Sequence, residues 1–172
     1  MELKGTKCTL RPWRQGDEES LVRCANNHNV SRNLGDRFPY PYTLEDARRW
    51  LGERVNAVPP FATFAIAIDD ASVGGTGFDI LPENQRTTAR AGYWLAEPFW
   101  GQGIVTEAFS NLCDYIFAAF PDIHRIEATV YEWNPASARV LEKCGFAQEA
   151  RMRKACIKDG QVIDMFLYAR VR

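Results

Sequence analysis

The sequence predicts a mixed α/β (α+β) fold, and three observations predict it. Runs of two-residue alternation rich in β-branched and aromatic residues are interleaved with runs of three- and four-residue apolar spacing. The segment Ala91 to Phe120, AGYWLAEPFWGQGIVTEAFSNLCDYIFAAF, reads as strand, glycine turn and long helix. The stretch from Asn134 to Phe146 carries the punctuation of a second, shorter helix. Asn134 suits the N-cap, Pro135 the first helical position and Gly145 the left-handed position past the end, with Phe146 packing back on Leu141.

In chain order, Cys8 to Trp13 reads as a first strand, followed by helices at about Asp17 to Asn27 and Thr43 to Val55. Thr43 with Asp46 forms a capping box at the start of the second. Strands at Phe61 to Ile68 and Val73 to Leu81 come next, then a loop at Pro82 to Thr87 and a strand at Ala89 to Ala96. In the long helix Val105, Ala108, Phe109, Leu112, Cys113, Ile116, Phe117 and Phe120 recur on one buried face, and Pro121 ends it. Arg125 to Tyr131 alternates as a strand, with Arg125, Glu127, Thr129 and Tyr131 on one face and Ile126, Ala128 and Val130 on the other. A helix at Pro135 to Cys144 and a terminal hairpin turning at Asp159-Gly160 complete the chain.

The 172 residues suffice for one domain, 1–172, with a sizeable core, and no linker or repeat interrupts them. A formal net charge of −1 without a basic stripe gives no electrostatic reason to expect nucleic-acid binding. Arg48-Arg49 and Arg151 to Lys154 read as solvated faces. Five cysteines, an odd number with no paired CxxC spacing, argue against a disulfide framework or a metal site, and Cys113 and Cys144 fall on apolar helical positions. A reducing cytoplasm is the expected location. The segment MELKGTKCTLRPW has no apolar leader core, and no stretch approaches the ~20 apolar residues that span a bilayer, so no membrane association is expected.

Gly101 and Gly103 allow a tight turn and close approach of a ligand to the backbone. The first-turn N–H groups of Gln102 to Thr106 have no intrahelical acceptor, and together with the helix dipole they form an anion site suited to the phosphates of a nucleotide-type cofactor. A P-loop would need G-x-x-x-x-G-K followed by Ser or Thr, which the chain lacks. A dinucleotide fold would place a third glycine where Thr106 stands and would put the unit near the start of the domain. A plain strand-to-helix connection is the remaining alternative.

A second constellation, HRIEATVYEWNPASARVLEKCGFAQEARMRK from His124 to Lys154, shifts the balance. The order YWL, FWGQGIVTEA, HRIEATV, N-P-A-S and LEKCGF resembles the GNAT superfamily of acetyl-coenzyme A (acetyl-CoA) dependent N-acetyltransferases, and most resembles its Rim-type branch of ribosomal-protein N-terminal acetyltransferases. The resemblance spans nearly the whole chain. It is strongest from Arg125 to Phe146 with the glycine turn upstream; in the first sixty residues only LRPW and PYTLEDARRWL carry it. It implies a mixed, mostly antiparallel sheet of about seven strands flanked by four helices, in the order β-α-α-β-β-β-α-β-α-β-β, splayed where the cofactor enters. It also implies that the pantetheine arm lies like an extra strand against Tyr93, Trp94 and Leu95. The pyrophosphate is then expected on the turn of Trp100, Gly101, Gln102, Gly103, Ile104, Val105 and Thr106. The family pattern there is Gln or Arg, two residues, Gly, one residue, then Gly or Ala. Gly103 keeps it, whereas Trp100 and Val105 depart, and the Val105 side chain is expected to narrow the site near the phosphates.

Direct transfer needs a held thioester, a neutral amine and a group that stabilises or protonates the leaving thiolate. No cysteine falls beside a base at a matched position, so no acyl-enzyme is expected. An aliphatic amine of pKa about 10 is almost wholly protonated at neutral pH, while an N-terminal α-amine of pKa about 8 needs far less help. By the resemblance, Ser137 bonds the coenzyme sulfur and favours thiolate departure, and Asn134 meets the pantetheine or a reaction-linked water. Each alternatively serves only the start of its helix. The tyrosine acid that many GNAT enzymes place seven residues after that asparagine is Leu141 here, and the Glu that the branch often carries just before G-Y-W-L is Ala91. Glu127 is the remaining candidate base, acting through a water, or else the ion-pair partner of a neighbouring Arg. Acceptor selectivity is expected from Asn33 to Tyr42 and Leu81 to Arg90. There Asp36 attracts a cationic amine and Phe38, Tyr40 and Tyr42 line a cleft, or else only pack the loop. The implied acceptor is a protein or peptide N-terminus, or alternatively a small-molecule amine such as an antibiotic, polyamine or amino-acid metabolite, with the chain a monomer or homodimer. A non-catalytic acyl-CoA sensor is a third reading.

Overall fold

The computed structural model describes residues 1–172. Strands β1 (Leu3–Lys4) and β2 (Thr9–Arg11) precede helices α1 (Glu18–Ala25), α2 (His28–Ser31) and α3 (Leu44–Gly52). Strands β3 (Thr63–Ile68), β4 (Ala71–Ile80) and β5 (Thr88–Leu95) follow, then helix α4 (Ile104–Ala119), strand β6 (Arg125–Tyr131), helix α5 (Pro135–Lys143) and strands β7 (Ala147–Lys158) and β8 (Gln161–Val171). Short 3₁₀ turns sit at Glu83–Gln85 and Glu97–Phe99.

The count is eight strands and five helices, where about seven and four are expected. The additional strand is the two-residue β1, paired with β2 through Leu3↔Leu10 and Lys4↔Thr9. The additional helix is α2, which begins just past the expected Asp17 to Asn27 element, itself ending at Ala25. Asn27 is extended, and its side chain accepts from the N–H groups of Asn29 and Val30, starting a new turn.

The eight strands form one sheet in the order β1-β2-β3-β4-β5-β6-β8-β7. Every neighbouring pair is antiparallel except β5 and β6. Helices α4 and α5 lie over one face, where Phe64, Phe109, Leu112, Ile116, Ile126 and Leu141 are fully buried. The apolar spacing of α4 decides this placement, because its stripe needs a sheet face to cover it. The opposite face carries α1 and α3, packed through Trp13, Leu21, Ala25, Tyr42, Ala47 and Leu51. All five cysteines are unpaired, and Cys8, Cys24, Cys113 and Cys144 are buried as small apolar groups. No helix is long and apolar enough to cross a membrane.

The caps read from the sequence are present. Thr43 Oγ1 accepts the Asp46 N–H at 3.2 Å and the Asp46 carboxylate accepts the Thr43 N–H at 2.9 Å. Past α5, Gly145 takes φ 84°, the Phe146 N–H bonds to the Leu141 carbonyl at 3.0 Å and the Gly145 N–H to that of Glu142 at 3.0 Å. Replacing Thr43 by alanine removes one acceptor of a two-way cap and is expected to cost about 1 kcal/mol. Thermal unfolding followed by circular dichroism then shows a midpoint lower by about 2–4 °C.

Candidate active site

The two parallel strands touch only at their beginnings. Thr88, Ala89 and Arg90 pair with Arg125, Ile126 and Glu127, after which β5 stays with β4 to Leu95 and β6 stays with β8 to Tyr131. A wedge therefore opens between Ala91–Leu95 and Ala128–Tyr131. The Leu81 N–H bonds to the Thr88 carbonyl and the Ala96 N–H to that of Val73, so even-numbered β5 residues spend their backbone groups on β4. Odd-numbered residues turn theirs the other way. Beyond the last pair, the backbone of Tyr93 faces the gap, and the Leu95 carbonyl accepts the Trp100 indole N–H at 2.7 Å.

The glycine turn stands at the mouth of this wedge, between β5 and α4. Gly101 has φ 74° and Gly103 φ 76°, the left-handed region that a side chain rarely tolerates. Gly103 is the N-cap of α4, and the first helical backbone bond runs from the Glu107 N–H to its carbonyl. The N–H groups of Gly101 to Thr106 consequently have no protein acceptor. Ile104 is buried, Thr106 gives its carbonyl to the Cys144 thiol at 3.4 Å, and Gln102 donates to the Pro98 carbonyl at 3.0 Å. Val105 packs partly buried against the apolar core.

Ser137 and Asn134 come from the start of α5. Asn134 Oδ1 accepts the Ser137 N–H at 3.2 Å, so the cap of the helix also fixes the serine. From across the wedge the Tyr93 hydroxyl lies 2.8 Å from Ser137 Oγ and donates to the Ser137 carbonyl at 3.1 Å. Tyr93 is held by edge-to-face packing on Phe109, with ring centroids 4.7 Å apart. Burial pushes its phenol pKa up, against the lowering pull of the bond to Ser137, so the group is a neutral hydroxyl at physiological pH. Leu141, at the position of the family's usual tyrosine, is fully buried. A tyrosine hydroxyl nonetheless reaches the helix start, supplied by β5. The sequence reading gave Tyr93 a place beside the cofactor but no role for its hydroxyl.

Glu127 occupies the apex where β5 and β6 separate. Arg90 donates to Glu127 Oε1 at 3.0 and 2.7 Å, and Arg125 lies 3.5 Å from Oε2 while also pairing with Glu149 at 2.6 Å. Of its two sequence-level readings, the ion pair is the one this geometry displays. At 8 % exposure, it is also far more buried than its place on the polar face of β6 suggests, because the two arginines cover it.

Asp36, Phe38 and Tyr40 converge on a cavity of about 230 Å³, whose lining also includes His28, Lys158 and Asp159. Phe38 connects this cavity to the wedge wall by packing edge-on against Trp94, with ring centroids 5.3 Å apart. The Lys158 ammonium, on a side chain only 6 % exposed, pairs with Asp36 at 3.2 Å. A smaller cavity of about 150 Å³ runs between Asn29, Arg32, Asn33, Trp100, Trp133 and Asn134, with the Trp133 indole donating to Asn33 at 3.2 Å. The Leu81 to Arg90 segment, the other expected acceptor element, lines neither cavity and leads into the paired end of β5.

This architecture has close counterparts. Bacillus subtilis (strain 168) "Probable N-acetyltransferase YjcK" is 33% identical over 158 residues, covering 88% of this chain and 87% of its own. The ribosomal-protein-serine acetyltransferase of Escherichia coli (strain K12) is 33% identical over 109 residues, 63% of this chain and 59% of its own. The structure of Mycobacterium smegmatis RimJ in complex with CoA-disulfide superposes with TM-score 0.81 at 27% identity, covering 95% of this chain and 81% of that one. Residues 7–147 match the family model described as Acetyltransferase (GNAT) domain. The chain belongs to the GNAT acetyltransferase family, and with it to the acyltransferase enzymes.

Proposed function

We propose that the protein, acting as a single domain in the cytoplasm, moves an acetyl group from acetyl-CoA directly to the α-amine of a protein or peptide N-terminus. The observation that carries this reading is the wedge, which leads from six unbonded backbone amides past an open strand edge to the paired hydroxyls of Tyr93 and Ser137. The residues present fit the coenzyme. Gly103 leaves a cradle that a Cβ would begin to fill, approaching Lys7 Nζ to 3.5 Å. The amides of Gly101 to Thr106 would hold the pyrophosphate, and Tyr93, Trp94 and Leu95 the pantetheine arm.

Acetyl-CoA supplies the thioester carbonyl that a neutral amine attacks: a C–N bond forms, the C–S bond breaks, the amine gives one proton to water and the departing sulfur takes one. On the side of the sulfur, Ser137 Oγ donates a hydrogen bond to the departing thiolate, which takes its proton from water, and the Tyr93 hydroxyl stands 2.8 Å from that oxygen. Asn134 holds the first turn of α5 through the Ser137 N–H. Both Glu127 carboxylate oxygens are engaged by the Arg90 and Arg125 guanidinium groups, so Glu127 positions the strand apex instead of removing the proton. That supports an acceptor which loses its proton readily, an α-amine of pKa about 8 in preference to an aliphatic amine of pKa about 10. The name of the Escherichia coli relative, a ribosomal-protein-serine acetyltransferase, supports the same class of acceptor.

Mass-resolved acetyl transfer from acetyl-CoA tests the reading, with N-terminal peptides beginning with serine or alanine set against polyamines and aminoglycosides. Acetylated peptide α-amine is the expected product. Acetylation confined to a small-molecule amine would overturn the acceptor assignment. Within the acceptor cavity, Asp36→Asn removes the carboxylate that faces both Lys158 and an incoming cationic amine. Asp36 is exposed, so the effect is modest: steady-state kinetics is expected to show the acceptor KM raised about two- to fivefold, with acetyl-CoA affinity unchanged.

A further inference from the structure

We propose that Lys7 is a coenzyme-binding residue and supplies the cationic partner of the pyrophosphate at the glycine turn. The inference rests on the cofactor reading above and assigns a residue that no motif includes.

The turn from Trp100 to Thr106 contains no lysine or arginine, and Trp100 stands where the resemblance would put Gln or Arg. The Trp100 indole is committed to the Leu95 carbonyl and cannot substitute. The first titratable group of α4 is Glu107, whose charge by itself would disfavour a phosphate beside the helix start. Its carboxylate is turned instead onto the loop between β1 and β2, accepting Thr6 Oγ1 at 2.5 Å, the Lys7 N–H at 2.8 Å and the Cys8 N–H at 3.3 Å. Burial alone would raise the Glu107 pKa, but these hydrogen bonds outweigh it and hold the carboxyl below the ordinary glutamate range. The loop is thus fastened to the first turn of α4. It approaches so closely that a Cβ on Gly5 would stand 2.1 Å from Glu107 Oε1.

That fastening carries the Lys7 side chain over the turn. Its Nζ donates to the Gln102 carbonyl at 2.7 Å and lies 3.5 Å from the point a Cβ of Gly103 would occupy. An ammonium has three donors, and the bond to Gln102 uses one. Two donors and a full positive charge remain beside the unbonded amides of Gly101 to Thr106. Backbone dipoles plus one fixed lysine make a phosphate site of the kind that amides alone make less strongly.

Calorimetric titration of wild type, Lys7→Ala and Lys7→Arg with CoA and with 3′-dephospho-CoA, plus ligand-observed NMR with pantetheine, tests the assignment. Lys7→Ala is expected to raise the Kd of CoA and dephospho-CoA alike by about tenfold and to leave pantetheine, which has no phosphate, unchanged. Lys7→Arg is expected to stay within about threefold of wild type. Equal weakening of all three ligands would show a mere loop tether and overturn the proposal. So would a loss confined to CoA, which would point to the 3′-phosphate, or an unchanged Kd in Lys7→Ala. A wild-type protein that binds neither CoA form would overturn the cofactor reading itself, an outcome visible without any variant.

Discussion

Replacing Gly103 by valine is expected to raise the Kd for coenzyme A by at least about 100-fold while the protein stays folded. Two costs combine. At φ 76° a β-branched side chain is strained by on the order of 1–3 kcal/mol or more, so the turn must relax toward negative φ. Relaxation swings the N–H groups that precede Ile104 out of their common direction. Losing two hydrogen bonds to an ionised phosphate, each worth about 1.5–3 kcal/mol, passes a factor of 100 at about 1.4 kcal/mol per tenfold. The valine side chain also enters the space beside Lys7 Nζ. Calorimetric titration measures the loss, and far-UV circular dichroism checks the fold. Gly35 is the matched control: its φ is not positive and a Cβ there would meet nothing within 4 Å, so Gly35→Ala leaves the Kd unchanged. Tight binding by Gly103→Val would remove the phosphates from this turn.

The features legible in the sequence are those written in local spacing. The α4 stripe, the Thr43–Asp46 box, the Asn134 and Gly145 caps and the Asp159-Gly160 turn each depend on residues within a few positions of one another. The pieces of the site that escaped are pairings across long stretches of chain. Lys7 meets Gln102 from 95 residues away, Tyr93 meets Ser137 across 44, and Lys158 meets Asp36 across 122. No periodicity announces such contacts. They follow from the sheet order, which brings β5, β6 and the β7–β8 hairpin together. Glu127 shows the same limit, since strand alternation gives its face correctly but not the two arginines that bury it. Short elements fail for a different reason: β1 has two residues and α2 four, too few for any period to register.

Ser137→Ala is expected to lower kcat by roughly 100-fold with the CoA Kd within about twofold of wild type. The asymmetry follows from which atoms the substitution removes. The bond that fixes the α5 start joins Asn134 Oδ1 to the Ser137 backbone N–H, and the second Tyr93 contact is to the Ser137 carbonyl, so both survive in alanine. Alanine is also a good helix former, and the turn that binds phosphate is untouched. Only the hydroxyl is lost, an interaction that matters when charge gathers on the departing sulfur and hardly before. Single-turnover kinetics beside a CoA titration separates the two quantities; equal loss in both would make Ser137 a binding residue, and an unchanged kcat would remove it from the mechanism. Tyr93→Phe sharpens the test. If the tyrosine hydroxyl acts by directing Ser137 Oγ from 2.8 Å, Tyr93→Phe costs about tenfold in kcat in the wild-type background and nearly nothing once Ser137 is alanine. Additive losses would instead mean that Tyr93 reaches the reacting atoms by itself, independently of Ser137.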